Sequence, residues 1–513
     1  MGVTINEIFI PEKIFDSAVE KELDFEAVLP DYCPDAARIV RVDCRPGAVD
    51  CCIEGDRLVA SGKTDFDVLY ESDRKSRLRC FRASESWEQQ FPLRKAPQAG
   101  AAACCFAVCD RVSARLTGQR GIAIKASLGL TAEAESEEVV KAVAAEGGND
   151  VFFREETLGC ETLKETVKAS SRFTEEVSLS GNESPIGELV CGRITLSPAQ
   201  ITLSPGSAEI KTAATLTVLY EDENEEGAYR TAVKTIPLTV TAEDSAFTPG
   251  THVTAKLFVA DDSFKAELDQ YGESRIIKAA FTVNAALTVS ETKEYSCASD
   301  LFGRNCDYKT DTAKAAFPAV FTVIERGFTA ETLIPPPVPP FLALTDAFSC
   351  PRTAKAFIGS EGVTVKGSLA STVTGVTENG VYSVPARTDH EQVFPLDLPE
   401  GEFTAKAEVY PVGTSASLRP DGSVALRINC VAEIVITRSE THAFISGAEP
   451  DGSTYADEEE GSMIFRFTQG GESLWEIAKE YRVPPEEIEK ANPNAFGDNG
   501  EALENSPPLL IKT

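Results

Sequence analysis

The side chains best suited to catalysis are few and widely spaced in this 513-residue chain. Its three histidines, His252, His390 and His442, stand outside any HExxH zinc motif and outside the local signatures of cysteine proteases. The sequence also lacks the GxxxxGK[ST] phosphate loop and the GxSxG nucleophile motif. We therefore predict a non-enzymatic protein without catalytic residues, and we expect the histidines on the surface or in turns. Abundant carboxylates leave one exception open, an acidic pair that only folding brings together.

Fourteen cysteines are the other reactive side chains. Two pairs are adjacent in the sequence, Cys51-Cys52 and Cys104-Cys105, and no Cys-x-x-Cys spacing occurs. This pattern is typical neither of a zinc site nor of a small secreted disulfide framework. Most of the cysteines lie in apolar, strand-like stretches, where a free thiol packs as a small hydrophobic group. We expect no metal or cofactor, and we expect a reducing compartment.

The most specific local pattern begins near residue 467 and continues to the end of the sequence. Ser473 and Glu476 have the spacing of a capping box, which predicts that the serine hydroxyl accepts a backbone N–H at the start of a helix. An apolar stripe at helical spacing follows, formed by Leu474, Ile477, Ala478 and Tyr481. One face of this first predicted helix is therefore expected to pack against a core.

A second helix and two short strands complete the pattern. Pro484-Pro485 ends the first helix and suits the first turn of a second helix over residues 487–492, which Pro493 then stops. Apolar residues at 464–467 and 509–511 predict a strand on either side. The predicted order is strand, helix, helix, strand.

This pattern resembles the LysM module, a small α+β (βααβ) fold that usually binds glycans containing N-acetylglucosamine. The resemblance implies a groove between the first strand–helix turn and the loop after the second helix. The candidate residues, in the groove or on a partner-binding face, are Gly471, Glu472, Ser473, Leu474, Trp475, Ile488, Asn492 and Pro493. Trp475 is interpreted as either core or interface. The family usually enters its last strand through a glycine-containing turn, whereas this chain has Ser506-Pro507-Pro508 after a longer acidic loop.

Charge and composition narrow the classes of partner and the location. The formal net charge is −32, which argues against nucleic acid and against an anionic membrane surface, because both are bound through clustered Lys and Arg. The first fifteen residues have neither a basic region nor a long apolar stretch, so we expect no signal peptide. No run approaches the roughly 18 apolar residues that a transmembrane segment needs. These features predict a cytoplasmic protein.

Three landmarks recur at intervals of about 150 residues. The first is a phenylalanine before an apolar segment, at Phe25, Phe173 and Phe328. The second is the VLYE-like segment, with anchors at Tyr70, Tyr220 and Gly375. The third is a long alternating segment, aligned at Ile124, Ile277 and Leu426. Its strict period of two predicts half-buried antiparallel strands.

These intervals predict a mainly β protein with three tandem antiparallel β repeats before the C-terminal α+β module. The expected domains are residues 1–150, 151–300 and 301–445, an acidic linker at 446–461, and the LysM-like module at 462–513. The linker is predicted from its Gly, Ser and Asp content and its run of acidic residues.

The repeat unit, with its VLY-type strand and the Pro-Asp element at Pro34-Asp35, resembles the SPOCS domain. Three such units before a terminal LysM module resemble the SipL-like spore coat morphogenetic proteins. This resemblance implies a scaffold in the mother-cell cytosol of a sporulating bacterium, acting at the forespore surface. The module would bind the coat-basement ATPase, stage IV sporulation protein A, and other coat proteins are further candidate partners. The alternative is a protein that binds peptidoglycan or its lipid-linked precursor.

Overall fold

The computed structural model describes residues 3–73, 77–98, 101–144, 150–453, 455, 463–468, 471–497, 500–503 and 508–512. The chain is mainly β with antiparallel sheets, which confirms that part of the predicted fold class. Most strands pair with their neighbours in the sequence, as expected for alternating apolar and polar residues separated by short turns.

The first unit, residues 5–143, contains two three-stranded sheets. Its strands are β1 (Ile5–Val28), β2 (Ala36–Glu54), β3 (Arg57–Ser72), β4 (Leu78–Pro92), β5 (Ala102–Leu116) and β6 (Gly121–Val143). The sheet orders are β1-β6-β5 and β2-β3-β4. Buried side chains from both sheets, such as Phe66 and Leu128, form one core between them. The unit is therefore a six-stranded sandwich.

The second and third units, residues 151–303 and 308–450, repeat this arrangement with one difference. The second contains β7 (Val151–Ser178), β8 (Ile186–Leu196), β9 (Gln200–Ser204), β10 (Ser207–Asp222), β11 (Tyr229–Glu243), β12 (Thr251–Leu268) and β13 (Ser274–Gly303). The third contains β14 (Tyr308–Ile334), β15 (Ala343–Pro351), β16 (Lys355–Gly359), β17 (Gly362–Thr377), β18 (Gly380–Phe394), β19 (Glu402–Leu418) and β20 (Val424–Pro450). Two strands, β8 with β9 and β15 with β16, stand where the first unit has β2 alone.

A bulge marks equivalent positions in the three units. In each unit, one extra residue interrupts the pairing next to Tyr70, Tyr220 or Gly375. These extra residues are Val40 in β2, Val190 in β8 and Thr345 in β15. The VLYE-like anchors therefore lie at matching places in the three sandwiches. The residues that follow the bulges, Arg41, Cys191 and Asp346, are equivalent as well.

The three units close into a ring. Strand β4 packs against β8, β11 against β15, and β18 against β2, so each unit uses the same two strands to contact its neighbours. Hydrogen bonds cross all three boundaries. Between the first and second units, the Leu78 N–H donates to Tyr229 Oη (3.0 Å). Thr231 Oγ1 donates to the Thr345 carbonyl (2.5 Å) between the second and third, and Arg38 Nη2 donates to the Val381 carbonyl (3.0 Å) between the third and first. The ring is therefore one body with approximate threefold symmetry.

Buried charges meet at the centre of the ring. Arg41 Nη1 lies 2.6 Å from Asp346 Oδ2, and Arg193 Nη2 lies 3.2 Å from the same oxygen. Only 2% of the Asp346 side chain is exposed. Burial alone would raise the pKa of Asp346, but the Arg193 and Arg41 guanidiniums hold it below its ordinary value. The Arg193 guanidinium also lies 3.6 Å from the Phe348 ring centroid. The first unit thus contributes Arg41, the second Arg193, and the third Asp346 and Phe348.

On one side of the ring, the first and last strands of each unit continue as two-stranded ribbons. Residues 136–143 of β6, 292–303 of β13 and 440–450 of β20 pair only with β1, β7 and β14. The three ribbons pack together around a second core, formed by Ile8, Ile10, Ala142, Leu158, Cys160, Cys297, Phe317 and Phe444. Long alternating strands thus serve a sandwich at one end and the ribbon bundle at the other.

The C-terminal module, residues 463–512, contains β21 (Met463–Arg466), α1 (Leu474–Tyr481), α2 (Pro485–Ala491) and β22 (Leu509–Lys512). Strands β21 and β22 pair antiparallel. The segment predicted as the linker, 446–461, begins within β20, which continues to Pro450, and residues 454 and 456–461 lie outside the described residues. Across the described ranges, no helix has the length and apolar character needed to cross a membrane.

The charges at the ring centre lead to a stability prediction. Asp346→Ala removes the nearer of the two carboxylates that pair with Arg41 and Arg193 and leaves them Asp43, at 3.1 Å and 3.8 Å. We therefore expect the free energy of unfolding to fall by about 3 kcal/mol, at the lower end of the cost of breaking a buried pair. Denaturant unfolding followed by circular dichroism measures this change. Glu391→Ala is the control, because its ion pair with Lys366 is 59–61% exposed and should contribute less than about 1 kcal/mol. Equal losses in the two variants would contradict the prediction.

Candidate binding site

The C-terminal module has its own small core. Ile477, Ala478 and Ile488 from the helices pack with Leu509 and Ile511 from the last strand. Ile488, one of the candidate binding residues, is 1% exposed and therefore belongs to this core. A side chain in that position stabilises the module and does not reach a ligand.

The predicted capping box does not form. Ser473 is the residue before α1, but its side chain makes no capping hydrogen bond. The Leu474 N–H instead donates to the Gly500 carbonyl, 2.8 Å away, and Ser473 forms an isolated β-bridge with Glu501. A backbone carbonyl of a later segment thus accepts an N–H at the start of α1, where the sequence pattern predicted a serine hydroxyl as acceptor.

The same later segment joins the two walls of the predicted groove. It belongs to the loop after α2, which runs from Ala491 to Leu509. The Gly471 N–H donates to the Ala502 carbonyl (2.9 Å), and the Ala502 N–H donates to the Glu472 carbonyl (2.8 Å). Within the loop, the Leu503 N–H donates to the Ala495 carbonyl at 3.0 Å. Residues 500–503 therefore hold the loop after α2 directly against the turn before α1.

The remaining candidate residues have different environments. The Asn492 side chain donates to the carbonyls of Ile488 and Leu510 and accepts from the Leu510 N–H, at 2.6–2.8 Å, so it fixes α2 to β22. Gly471 and Pro493 are exposed at the rim. Glu472, Ser473 and Leu474 are half-buried beside residues 500–503. The structure thus leaves the rim of the groove open and joins its two walls behind the rim.

Trp475 faces the ribbon of the second unit. Its indole Nε1–H donates to Asp300 Oδ2 at 2.8 Å, and its ring contacts Phe302 edge-on, with centroids 5.1 Å apart. Lys479, one turn later in α1, places its ammonium 2.7 Å from the same carboxylate. Burial alone would raise the pKa of Asp300. The hydrogen bonds from Lys479 and Trp475 outweigh burial, so the pKa of Asp300 is lower than its ordinary value. Trp475 is therefore an interface residue, although its partner is this chain.

A second ion pair supports the same docked position. Arg482 Nη2 lies 2.7 Å from Asp307 Oδ1, and the Arg482 guanidinium stacks 3.5 Å from the Tyr455 ring centroid. Asp300 and Asp307 precede their partners by 175 residues in the sequence. No local pattern could have identified them, because such contacts depend on the packing of the whole chain.

The expected position of the histidines is wrong for His390. This side chain is 6% exposed in the third unit and lies tilted against the Phe328 ring. Neither of its ring nitrogens has a hydrogen-bond partner among the residues that the structure describes. Burial lowers the pKa of His390. His442 is half-buried between Glu156 and Glu440, at 2.9 and 3.3 Å. Within the described part of the chain, no group of three or more His, Cys, Asp or Glu side chains is arranged to hold a metal ion.

Folding does bring carboxylates together in the third unit. Glu433 lies directly between Glu325 and Glu408 on three neighbouring strands. Burial and these two carboxylates raise the pKa of Glu433 to about 7. Lys256 of the second unit pairs with Glu408, and the Tyr410 hydroxyl donates to it at 2.8 Å. Only the strand register reveals this cluster, because its members are far apart in the sequence.

Comparison with known proteins leaves the chain unassigned, because no protein-family model, no curated protein and no solved structure matches it.

The contacts of Trp475 predict that Asp300 holds the module on the ribbon. Asp300→Ala removes the acceptor of two charge-assisted hydrogen bonds, each typically worth about 1.5–3 kcal/mol, so the module should dissociate from the ribbon more often. We expect faster tryptic cleavage at Lys479 and Arg482 and a red shift in Trp475 fluorescence. Glu155→Ala is the control, because this exposed ribbon carboxylate accepts from the Ser296 hydroxyl and, among the described residues, from no group of the module. Unchanged protection in Asp300→Ala would contradict the prediction.

Proposed function

We propose that this protein is a non-enzymatic scaffold of spore coat assembly. In this proposal, the three units are SPOCS-type repeats and the C-terminal module is of the LysM type. The module binds the coat-basement ATPase, stage IV sporulation protein A, on the forespore surface in the mother-cell cytosol. The ring and its ribbons then connect that ATPase to further coat proteins. Support comes from the sequence resemblance and from the geometry of the module.

The observation that carries the proposal is the direct contact between the two walls of the predicted groove. Residues 500–503 pair with the Gly471 and Leu474 N–H groups and with the Glu472 carbonyl. A glycan that entered between the two walls would first have to break these backbone hydrogen bonds and separate the walls. A protein partner needs no such slot, because it can bind the rim and the outer helix surfaces. This favours a protein over a sugar as the ligand.

Charge indicates the kind of protein surface that fits. Exposed Glu486, Glu487 and Glu489 lie on α2, whereas Lys479, Arg482 and Arg466 are paired with Asp300, Asp307 and Glu480. The free charge on the module is therefore mainly acidic. A partner surface rich in Lys and Arg would associate faster with this face than a neutral one.

Peptidoglycan, another N-acetylglucosamine glycan or a lipid-linked precursor is the second candidate ligand. The observation in its favour is the exposed rim, where Gly471 and Pro493 flank the groove as the LysM resemblance implies. In this alternative, residues 500–503 move aside when the sugar binds.

A paired capture experiment separates the two ligands. The full chain and a chain that ends at Gly461 are each incubated with the purified ATPase and, in parallel, with purified peptidoglycan. We expect the ATPase to capture only the full chain, and peptidoglycan to capture neither. Both chains should give the same β-type circular dichroism spectrum, because the ring and ribbons end at Pro450. This control ensures that loss of capture reports on the module alone.

Two other outcomes would reject the proposal. If the ATPase captures neither chain, the assigned partner is wrong. If peptidoglycan captures only the full chain while the ATPase captures neither, the glycan-binding function replaces the scaffold function.

A further inference from the structure

A small cavity beside the buried charges of the ring is lined by four cysteines. Its volume is about 30 Å³, and the thiols are those of Cys44, Cys80, Cys191 and Cys350. Three arginines and two aspartates line the same cavity: Arg41, Arg45, Arg193, Asp43 and Asp67. Neither the predicted scaffold function nor the C-terminal module uses this site.

Two of these thiols lie on either side of a unit boundary. Cys80 is on β4 of the first unit and Cys191 on β8 of the second, and both side chains line the cavity and pack against the same apolar cluster. These strands form the contact between the first two units. A bond between the two sulfurs would therefore join the units covalently.

The two thiols differ in their surroundings. Arg41 Nη2 lies 3.7 Å from Cys191 Sγ. The neighbouring Cys80 thiol and the Arg41 charge lower the pKa of Cys191, even though burial opposes this. The Cys191 side chain and burial raise the pKa of Cys80. Cys191, which lies against a guanidinium, is therefore the thiol of the pair that loses its proton more readily, and the thiolate is the reactive form of cysteine.

The cavity limits which oxidant can reach this thiolate. A space of about 30 Å³ holds about one water-sized molecule. Hydrogen peroxide is of that size, whereas a glutathione disulfide is far larger. The arginines beside the cavity also stabilise the negative charge that leaves as hydroxide when the O–O bond breaks.

We propose that Cys191 and Cys80 are a peroxide-oxidised pair that forms a disulfide between the first and second units. The Cys191 thiolate attacks one oxygen of hydrogen peroxide, which breaks the O–O bond, releases hydroxide and gives a sulfenic acid. The Cys80 sulfur then attacks the Cys191 sulfur, forms the S–S bond and releases the sulfenic oxygen as water with the Cys80 proton. The proton lost earlier by Cys191 neutralises the hydroxide. In sum, two thiols and one peroxide give one disulfide and two waters.

The chain contains an internal comparison. Cys44 on β2 and Cys109 on β5 pack in the same core of the first unit. The neighbouring Cys109 thiol, burial and the nearby Asp43 carboxylate all raise the pKa of Cys44. This second pair has neighbouring thiols without a stabilised thiolate, so it should oxidise slowly.

The test uses the reduced full chain and hydrogen peroxide at about ten molar equivalents. After alkylation with N-ethylmaleimide and digestion with trypsin, mass spectrometry follows the peptide of residues 80–82 linked to the peptide that contains Cys191. We expect this linked peptide at least tenfold faster than a Cys44–Cys109 link, and at least tenfold faster with peroxide than with oxidised glutathione. Equal rates in either comparison, or no Cys80–Cys191 link, would overturn the proposal.

Two single variants test which thiol reacts first. In Cys80→Ser, peroxide should leave a sulfenic acid on Cys191 that dimedone traps. In Cys191→Ser, dimedone labelling of Cys80 should be at least tenfold slower. Equal labelling in the two variants would overturn the assigned roles. All of these readouts are independent of the proposed coat partner, so either inference can fail without the other.

Discussion

The ring depends on the pairing of a few charges that are almost entirely buried. Arg41, Cys191 and Asp346 occupy equivalent positions in the three units and meet at the centre. Three identical charged residues could not meet there, because buried like charges repel and each would also lose its hydration. The equivalent positions two residues further along also differ in charge, and they hold Asp43, Arg193 and Phe348. The units can therefore share a fold only because they differ at the centre.

This asymmetry also defines the order of the units around the ring. A carboxylate on the third unit needs guanidiniums from the first and the second, so no unit can be exchanged for another without leaving a buried charge unpaired. Once the ring is closed, the first and last strands of the three units leave it on one side and pack as ribbons. The C-terminal module rests on one ribbon through Asp300 and Phe302. Its position is thus a consequence of contacts made at the ring.

The sequence predicts the strands well because alternation is a local property. The VLYE-like anchors were placed correctly, since their bulges coincide. The phenylalanine landmark is offset by two residues: Leu29 and Leu179 make the same backbone hydrogen bond, so Leu23, and not Phe25, is equivalent to Phe173. Shifting the alignment by two residues keeps every side chain on the same face of the sheet, so the alternation of apolar and polar residues cannot reveal the shift.

Other features could not be predicted because distant residues determine them. The capping box at Ser473 failed when residues 500–503 supplied the backbone partners instead. The role of Trp475 depends on Asp300, and the burial of His390 depends on Phe328. In each case the local pattern was compatible with two environments, and long-range packing selected one.

The docked position of Trp475 affects how any partner can use the module. A partner that needs the indole must compete with Asp300, Phe302 and Lys479, so its apparent affinity falls by the fraction of time that the module is undocked. A partner that contacts only the exposed rim and the acidic face of α2 meets no such competition. Binding at the rim would therefore leave the module rigidly attached to the ring, whereas binding at Trp475 would release it. The first arrangement suits a scaffold, because the contacts between the module and the ribbon stay intact and hold the partner at a fixed position relative to the ring.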